Sequence, residues 1–406
     1  MSLHEIASFQ SAVTAEQLLI DVAGRIQLST SKHEQAVVHY ETLCNHVDRA
    51  GSPLEDKVVT CYPSGSFGIG AVVASRVKRD QHDVDVVLEL DLPIETQPIV
   101  VLDLLFRAIK GEPGSLYFSK VKKNSRCVTV HYDDGVSVDL MPIVRDGTLI
   151  EKSGVLFHHK DSETFRKPVN PYGFKTHYNA TVQLDPAFAK AFRDRRVVLA
   201  EKALVEPMDG PVRLEEKSPR TVAVQLLKRF RDLRYRETAR HGMRKPPSVV
   251  LAAMALEKPQ AMPSVLAELF SLAEHIHNRL QLAEQTNSLI DVRNPAFPPD
   301  VFSDRWPSNA ADQRVFMGDL THLIDKLSAL ARDQFSPIVA KQVLEDLFGE
   351  TAADFAIGSY MERRTADAQV GKLKFGLSGA VLTGNAAASS SRASIRPSTD
   401  LGEDKH

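Results

Sequence analysis

Two aspartates separated by a single valine, at the start of a strongly apolar stretch, constrain this sequence more than any other feature. Val84–Leu90 is short, rich in valine and bounded by polar residues, so it predicts a β-strand that presents Asp83 and Asp85. Successive side chains of a strand point to opposite faces, so the two aspartates project together while Val84 and Val86 pack on the other side. The sequence therefore predicts a sheet with a core on one face and two carboxylates on the other.

Two carboxylates in one small space repel each other, and this arrangement is costly unless a positive charge lies between them. Hard divalent cations prefer oxygen ligands, so a magnesium site is the simplest explanation of Asp83 and Asp85. A third carboxylate, Asp139, lies in the segment VSVDLMP, where it shares a strand face with Ser137 and Met141. If the two strands are neighbours, the three aspartates can hold two Mg²⁺ ions, or Mn²⁺ in their place, for an in-line phosphoryl displacement.

Gly65 and Ser66 open the segment that leads to the Asp83 strand. Gly65 has no side chain, so a phosphate can approach its backbone, and the hydroxyl and amide of Ser66 can donate hydrogen bonds at the start of a helix. Alone, a Gly-Ser turn is usually only a turn, and an Asp-x-Asp strand is usually a solvated edge. Their order, with Asp139 downstream, favours a nucleotide-binding active site.

The first half of the sequence predicts an α+β core, because valine-rich segments alternate with amphipathic helices. Its predicted strands are Val58–Tyr62, Val84–Leu90, Cys127–Tyr132 and Val136–Met141, and its predicted helices are Lys32–Asn45 and Val100–Lys110. The second half is almost entirely helical in pattern, with apolar faces at Ala223–Leu233, Val249–Leu256, Ser264–Leu282 and Arg314–Leu330. We therefore expect a core over residues 1–211 with the Lys32–Asn45 helix at its N-terminal end, a helical lobe over 212–348 and a disordered tail over 365–406.

Charge and cysteine content limit the partners and the compartment. The 50 lysines and arginines against 52 aspartates and glutamates give a net charge of −2, which provides no global field for a long nucleic acid. Cys44, Cys61 and Cys127 fit neither a disulfide framework nor a zinc cluster. No segment approaches the roughly 20 apolar residues of a membrane-spanning helix, and no signal peptide is evident. We expect a cytoplasmic protein without a membrane partner or an obligatory long nucleic acid.

Two polar segments are interpreted as surface features and not as functional sites. The basic run Lys217–Lys245 is typical of a solvated helix face, with steering of triphosphates or binding of a polyanion as alternatives. The adjacent His158 and His159 are interpreted as part of a solvated loop.

The order Gly-Ser, Asp-x-Asp and a later strand aspartate resembles the DNA polymerase beta-like nucleotidyltransferase superfamily. Within it, the long gap from Phe67 to His82 is similar to that of the bacterial cGAS/DncV-like nucleotidyltransferases, the CD-NTases. The segments VQLLKRFRDLRYRE and KPPSVVLAAMA are similar to the oligoadenylate-synthetase-like helical domain of that family. The resemblance implies that Lys228 and Ser248 contact the donor triphosphate. Lys228 follows two leucines at the edge of a buried stripe, and Ser248 stands where a helix N-cap is expected.

The resemblance implies a polymerase beta-like core with a mixed sheet, joined to the helical lobe. It implies a magnesium-dependent enzyme that joins ATP and other nucleoside triphosphates into a cyclic di- or trinucleotide with release of pyrophosphate. The family implies a role in bacterial antiphage (CBASS) signalling, in which the product activates an effector protein.

In this assignment Asp83, Asp85 and Asp139 bind metal and carry the catalysis, and the nucleotide-binding residues are Gly65, Ser66, Lys228 and Ser248. The segment NPAFPPDVFSDRWPSNAADQRVF, similar to a late family segment, is interpreted as lobe packing around Trp306. Two alternatives stay open: a transferase that makes linear products or modifies RNA or protein, and an inactive interaction scaffold.

Overall fold

The computed structural model describes residues 3–74, 82–182, 217–240, 242–259, 261–332, 336–369, 374–375 and 381–382. Residues 1–357 form one compact unit and residues 358–406 form a second. The predicted domain boundary at residue 211 lies outside the described residues, as does most of the predicted tail. The first residues of that tail, 365–369, lie in a helix.

Helices make up most of the described chain. In chain order they are α1 (Leu3–Arg25), α2 (Thr30–Val47), α3 (Gly65–Gly68), α4 (Pro98–Lys110), α5 (Pro171–Thr181), α6 (Pro219–Arg234), α7 (Ser248–Leu256), α8 (Val265–Gln285), α9 (Ala310–Arg332), α10 (Pro337–Phe348) and α11 (Glu350–Gln369). The long α1 was not predicted, because polar residues interrupt each of its short apolar runs.

Seven strands of the described first half form one mixed sheet. They are β1 (Val58–Pro63), β2 (His82–Leu90), β3 (Val121–Lys123), β4 (Val128–His131), β5 (Val136–Arg145), β6 (Gly154–Lys160) and β7 (Glu163–Val169). Their order is β1-β2-β5-β4-β3, with β6 pairing to β5 and to β7. Strands β2 and β5 are parallel, and the other neighbours are antiparallel. The predicted α+β class and mixed sheet are confirmed.

Short two-stranded ladders complete the described structure. Strands β8 (Arg293–Asn294) and β9 (Phe297–Val301) pair in the first unit, and β10 (Lys374–Phe375) and β11 (Val381–Leu382) pair in the second.

The main core fills one face of the sheet beneath α2 and α4. Val84, Val86 and Leu88 of β2 are buried there against Leu43 of α2 and Leu105 of α4. Full burial of one such side chain contributes about 1.5–3 kcal/mol to stability, so this packing determines which face of β2 is turned to the core. The alternate residues of β2 are therefore directed to the opposite face.

Helix α6 is buried along almost its whole length, although its sequence is strongly basic. It packs against α1, α7, α8 and α10, and each of its residues from Pro219 to Arg231 is buried. Arg220 pairs with Glu268 of α8 at 3.0 Å, and Arg229 donates to the carbonyl of Phe348 at 2.9 Å. The interpretation of this part of the basic run as a solvated face is wrong, because its charged groups find buried partners on neighbouring elements.

Two smaller interpretations are also corrected. His158 lies in β6, not in a loop; it is buried and stacks on Phe165 of β7 with ring centroids 4.3 Å apart. The two polar histidines interrupt the apolar pattern expected of a strand. In the structure His158 is buried and His159 is half-buried. Cys44 and Cys61 form a disulfide, with Cα atoms 6.3 Å apart, because the fold brings α2 to β1 across a separation of 17 residues.

The segment around Trp306 packs as interpreted. Trp306 is fully buried, and its ring meets Phe316 of α9 edge to face at 5.5 Å. Asn294 donates to the carbonyl of Asn170 at 2.8 Å, which also fastens this segment to the start of α5. Among the described helices, none is both long and apolar enough to span a membrane.

Candidate active site

The register between β2 and β5 places the three predicted aspartates together. Asp85 lies opposite Asp139, and Asp83 lies opposite Ser137. Neighbouring strands are about 4.8 Å apart, so the Asp85 and Asp139 side chains leave the sheet side by side on the same face. The strand adjacency on which the three-aspartate prediction depended is present.

Burial and mutual repulsion raise the pKa values of two of these carboxyl groups. The pKa of Asp85 is raised to about 7, first by burial and then by the charges of Asp139 and Asp83. Burial also raises the pKa of Asp139, against the hydrogen bond from Thr129. These groups therefore hold protons more tightly than ordinary aspartates do, and a cation placed between them would favour their charged forms.

Each carboxylate is held by a hydrogen-bond donor of the protein. The Ser137 hydroxyl donates to Asp83 Oδ1, and the Thr129 hydroxyl donates to Asp139 Oδ1. The backbone N–H of Ser66 donates to Asp85. These contacts fix the side chains on one oxygen and leave the second oxygen of each carboxylate as a potential ligand.

The chemistry of these residues fits a divalent cation. Carboxylate oxygens on adjacent strands are the hard ligands that Mg²⁺ takes, and their repulsion shows that they share one space. A ready-made cage of three His, Cys, Asp or Glu side chains is not found in the part of the chain that the structure describes.

Gly65 brings the Gly-Ser turn against the Asp85 carboxylate. Its φ of +54° belongs to the left-handed region, and a Cβ there would lie only 2.8 Å from the Asp85 carboxyl carbon. From the sequence, we explained this glycine by the room that it leaves for a phosphate. The structure adds a second reason, which is that only a glycine leaves room for the carboxylate.

Lys228 of α6 reaches the same turn. Its ammonium donates to Ser66 Oγ at 2.6 Å and to the carbonyl of Ala71 at 2.5 Å. Burial, followed by the nearby charge of Arg231, lowers the pKa of Lys228 to about 7. A buried amine that already donates to a hydroxyl can also donate to a phosphate oxygen, whose charge would favour the ammonium form.

Ser248 is the first residue of α7, not its N-cap. The N-cap is Pro247, whose extended backbone (φ −60°, ψ 146°) precedes the helix, so the predicted capping role is wrong. The Ser248 hydroxyl instead accepts a hydrogen bond from Arg231 Nη1 at 3.2 Å, and the same nitrogen donates to the carbonyl of Pro246 at 2.6 Å. Arg231 thus holds the start of α7. Sequence reasoning missed it, although it lies one helical turn after Lys228.

One small cavity brings the four predicted nucleotide-binding residues together. Its lining consists of Gly65, Ser66, Ile69, Ala71, Phe174, Val224, Lys228, Ser248 and Val249. Since Gly65 also contacts Asp85, the cavity adjoins the three aspartates. An anion in the cavity and cations on the aspartates would be neighbours, as a triphosphate and its metals require.

Comparison with known proteins gives a matching family and a related enzyme. Residues 14–177 match the family described as Second Messenger Oligonucleotide or Dinucleotide Synthetase domain. Over 356 residues the chain is 31% identical to the cyclic dinucleotide synthase CdnG of Bradyrhizobium diazoefficiens, covering 86% of this chain and 83% of that relative.

Solved structures give the same result. The Bradyrhizobium CdnG in complex with GTP matches with a TM-score of 0.72 at 30% identity, covering 86% of this chain and 99% of that one. The Escherichia coli MS115-1 CdnC with ATP shares the fold, with a TM-score of 0.55 at 16% identity over 82% of this chain and 97% of that one.

Proposed function

This chain belongs to the CD-NTase family, the bacterial cGAS/DncV-like nucleotidyltransferases, and on that premise we propose that it is a magnesium-dependent cyclic dinucleotide synthase. The observation that carries the proposal is the placement of Asp85 opposite Asp139, beside a cavity lined by Ser66 and Lys228. The substrates are ATP or other nucleoside triphosphates. The proposed role is the antiphage (CBASS) signalling that the family implies, with a product-activated effector downstream.

Asp83, Asp85 and Asp139 would hold the divalent cations. When bound, the two ions neutralise the triphosphate and lower the pKa of the acceptor hydroxyl. Of the three aspartates, Asp139 lies nearest to β4. Its carboxylate takes the proton from the acceptor hydroxyl. Asp83 and Asp85, two residues apart on one strand face, fix the spacing of the ligands from β2.

Gly65, Ser66, Lys228 and Ser248 would hold the donor triphosphate. The Lys228 ammonium already donates to Ser66 Oγ and can extend a further N–H to a phosphate oxygen, since an ammonium has three donors. Ser248 also lines the cavity, and Arg231 donates a hydrogen bond to its hydroxyl. Binding from two sides would align the triphosphate with the acceptor, which is the main catalytic requirement of phosphoryl transfer.

Ring formation uses this site twice. In the first step the acceptor hydroxyl attacks the α-phosphate of the donor, and one pyrophosphate leaves. In the second step the linear intermediate places its own triphosphate in the cavity, its free hydroxyl attacks that α-phosphate, and a second pyrophosphate leaves. Two nucleoside triphosphates thus yield one cyclic dinucleotide and two pyrophosphates.

The test is a product assay with the purified protein. The protein is incubated with four radiolabelled ribonucleoside triphosphates and Mg²⁺, treated with phosphatase and analysed by chromatography. We expect a phosphatase-resistant product, because a ring has no terminal phosphate. Asp83→Ala combined with Asp85→Ala should abolish it, whereas Asp91→Ala, which removes an exposed carboxylate just after β2, should not.

The other outcomes separate the alternatives. Phosphatase-sensitive chains would favour a linear or RNA-directed transferase, and a resistant product of three nucleotides would correct the ring size. An identical product from the double variant would exclude the three-aspartate site. The absence of any product with Mg²⁺ or Mn²⁺ would favour the scaffold alternative.

A further inference from the structure

A chain of two polar side chains leads to the third aspartate from the side away from the triphosphate cavity. Thr129 of β4 lies directly opposite Asp139 in the antiparallel register with β5. Its hydroxyl donates to Asp139 Oδ1, and Asn124 Nδ2 donates to the same hydroxyl oxygen at 2.6 Å. These two residues were not among the predicted site residues.

The order of donors and acceptors directs these hydrogen bonds from Asn124 through Thr129 to Asp139. A hydroxyl has one proton to donate and lone pairs that accept. Because the Asn124 amide donates to the Thr129 oxygen, the hydroxyl proton is directed to Asp139. Asn124 is itself fixed by a tight turn, in which its backbone N–H donates to the carbonyl of Cys127 at 2.9 Å.

Burial and side-chain shape make the contact rigid. Thr129 is only 5% exposed, so its hydroxyl has little access to water as a substitute partner. Its branched Cβ restricts the χ1 torsion, and its neighbours on β4, Val128 and Val130, are fully buried in the core on the other face. The hydroxyl therefore has one well-defined direction relative to the sheet.

We propose that Thr129 and Asn124 are positioning residues for Asp139. They hold Oδ1 of its carboxylate and thereby turn Oδ2 toward the cation. This inference rests on the proposed function, since it assigns a task at the same metal site. Hydrogen bonds to a metal-ligating side chain orient it, and their loss typically costs about 10–100-fold in metal affinity or activity.

The test compares Thr129→Val, Thr129→Ser, Asn124→Leu and Asp85→Asn in the full-length protein. Valine keeps the branched shape without the hydroxyl, and serine restores the hydroxyl. The matched control is Thr60→Val, which removes the same group from the half-buried Thr60 of β1 in the same sheet. The readouts are direct Mn²⁺ binding, from the electron paramagnetic resonance signal of free Mn²⁺, and the Mg²⁺ concentration for half-maximal product.

We expect Thr129→Val to weaken Mn²⁺ binding by about tenfold or more, and to raise the half-maximal Mg²⁺ concentration in parallel. Thr129→Ser should stay within about threefold of the wild type, since serine keeps the donor but not the restricted χ1 torsion. Asn124→Leu should lie between them, and Thr60→Val should match the wild type.

The outcomes distinguish the two proposals. If Asp85→Asn binds Mn²⁺ as the wild type does, the metal site itself is wrong. If Asp85→Asn loses Mn²⁺ while Thr129→Val retains wild-type affinity, the positioning role is wrong and the metal site stands. Equal losses in Thr129→Val and Thr129→Ser would also overturn the role, because they would not depend on the hydroxyl. Should the valine variant fail to fold, unchanged binding in Asn124→Leu would overturn it.

Discussion

The two sides of the candidate active site are built in different ways. On the metal side, Asp83, Asp85 and Asp139 stand on two strands joined by backbone hydrogen bonds, so the ladder itself fixes their spacing. On the triphosphate side, Ser66, Lys228 and Ser248 come from three separate helices, α3, α6 and α7, and side-chain contacts hold them. The metal side is therefore robust to changes around it, whereas the triphosphate side depends on how the helices pack.

The two sides meet at Gly65 and at one pair of opposite charges. Gly65 packs on Asp85, and the Lys228 charge opposes the repulsion that raises the pKa of Asp85. Asp85 and Lys228 thus share one electrostatic environment, although they are carried by different parts of the fold. Substitutions on each side should separate binding of the metal from binding of the triphosphate.

The largest effect is expected from Asp85→Asn. This change keeps the size of the side chain but removes its charge, so product formation should fall by at least about 10³-fold, as for other residues that act as a catalytic unit. The fold should remain, because a buried carboxylate repelled by Asp139 and Asp83 is unfavourable without a cation. Single-turnover product assays and a thermal melt in EDTA check both parts. A melting temperature well below that of the wild type would contradict the assigned repulsion.

Gly65→Ala should disturb both sides at once. An alanine here would be strained at a φ of +54°, and its Cβ would press on the Asp85 carboxylate, so we expect an activity loss of about 10²-fold and a destabilisation of about 1–3 kcal/mol. The matched control is Gly51→Ala, since Gly51 has a φ of +75° with no atom within 4 Å of an added Cβ. Both should lose stability from backbone strain, and Gly65→Ala should lose more because its Cβ also meets the Asp85 carboxylate. If they also lose similar activity, the Asp85 contact has no catalytic consequence.

The same contrast explains what the sequence could predict. Alternation along one strand placed Asp83 and Asp85 on a common face, because side-chain period is a local property. The position of Asp139 beside these two aspartates depends on which strands pair. A local pattern does not determine strand pairing, so the three-aspartate prediction was conditional on it. Lys228 and Ser248 were reached through family resemblance alone, since nothing local indicates which distant turn a helix will face.

The misses have equally specific causes. The arginines of α6 were interpreted as solvated because a charge pattern does not show where Glu268 or a free carbonyl will lie. Strand β6 was missed because His158 and His159 interrupt its apolar run. Thr129 was within a predicted strand, but an ordinary threonine carries no signal of function until the register places it opposite Asp139.

Arg231→Lys tests the triphosphate side alone. Lysine keeps the positive charge but lacks the planar fork that serves Pro246, Ser248 and Asp232 together. We expect the KM for the donor triphosphate to rise by about tenfold with little change in kcat, because the start of α7 loosens while the aspartates stay in place. Mn²⁺ binding should be unchanged. Arg107→Lys on the exposed side of α4 is the matched control.

A pair of buried lysines near one helix separates an effect on stability from an effect on activity. Lys217, just before α6, resembles Lys228 in that burial lowers its pKa to about 7, but it donates to the amide of Gln27 and is not part of the cavity lining. An unfolded lysine has a pKa near 10.4, so between pH 7 and about 10 the unfolded chain binds more protons than the folded one. Each of these lysines therefore makes the protein more stable as pH rises through that window.

Lys217→Met and Lys228→Met should both remove one share of this pH dependence and raise the melting temperature most at or below pH 7, where the penalty for burying a charged lysine is complete. Their activities should differ, because only Lys228 reaches Ser66 in the cavity. We expect Lys217→Met to stay within about threefold of the wild type and Lys228→Met to lose about 10²-fold, the scale of one lost charge-stabilising donor. Thermal melts from pH 6 to 10 and product assays at one pH measure both. Equal losses of activity would show that the triphosphate side extends to Lys217. They would contradict the assignment of binding to Lys228 alone.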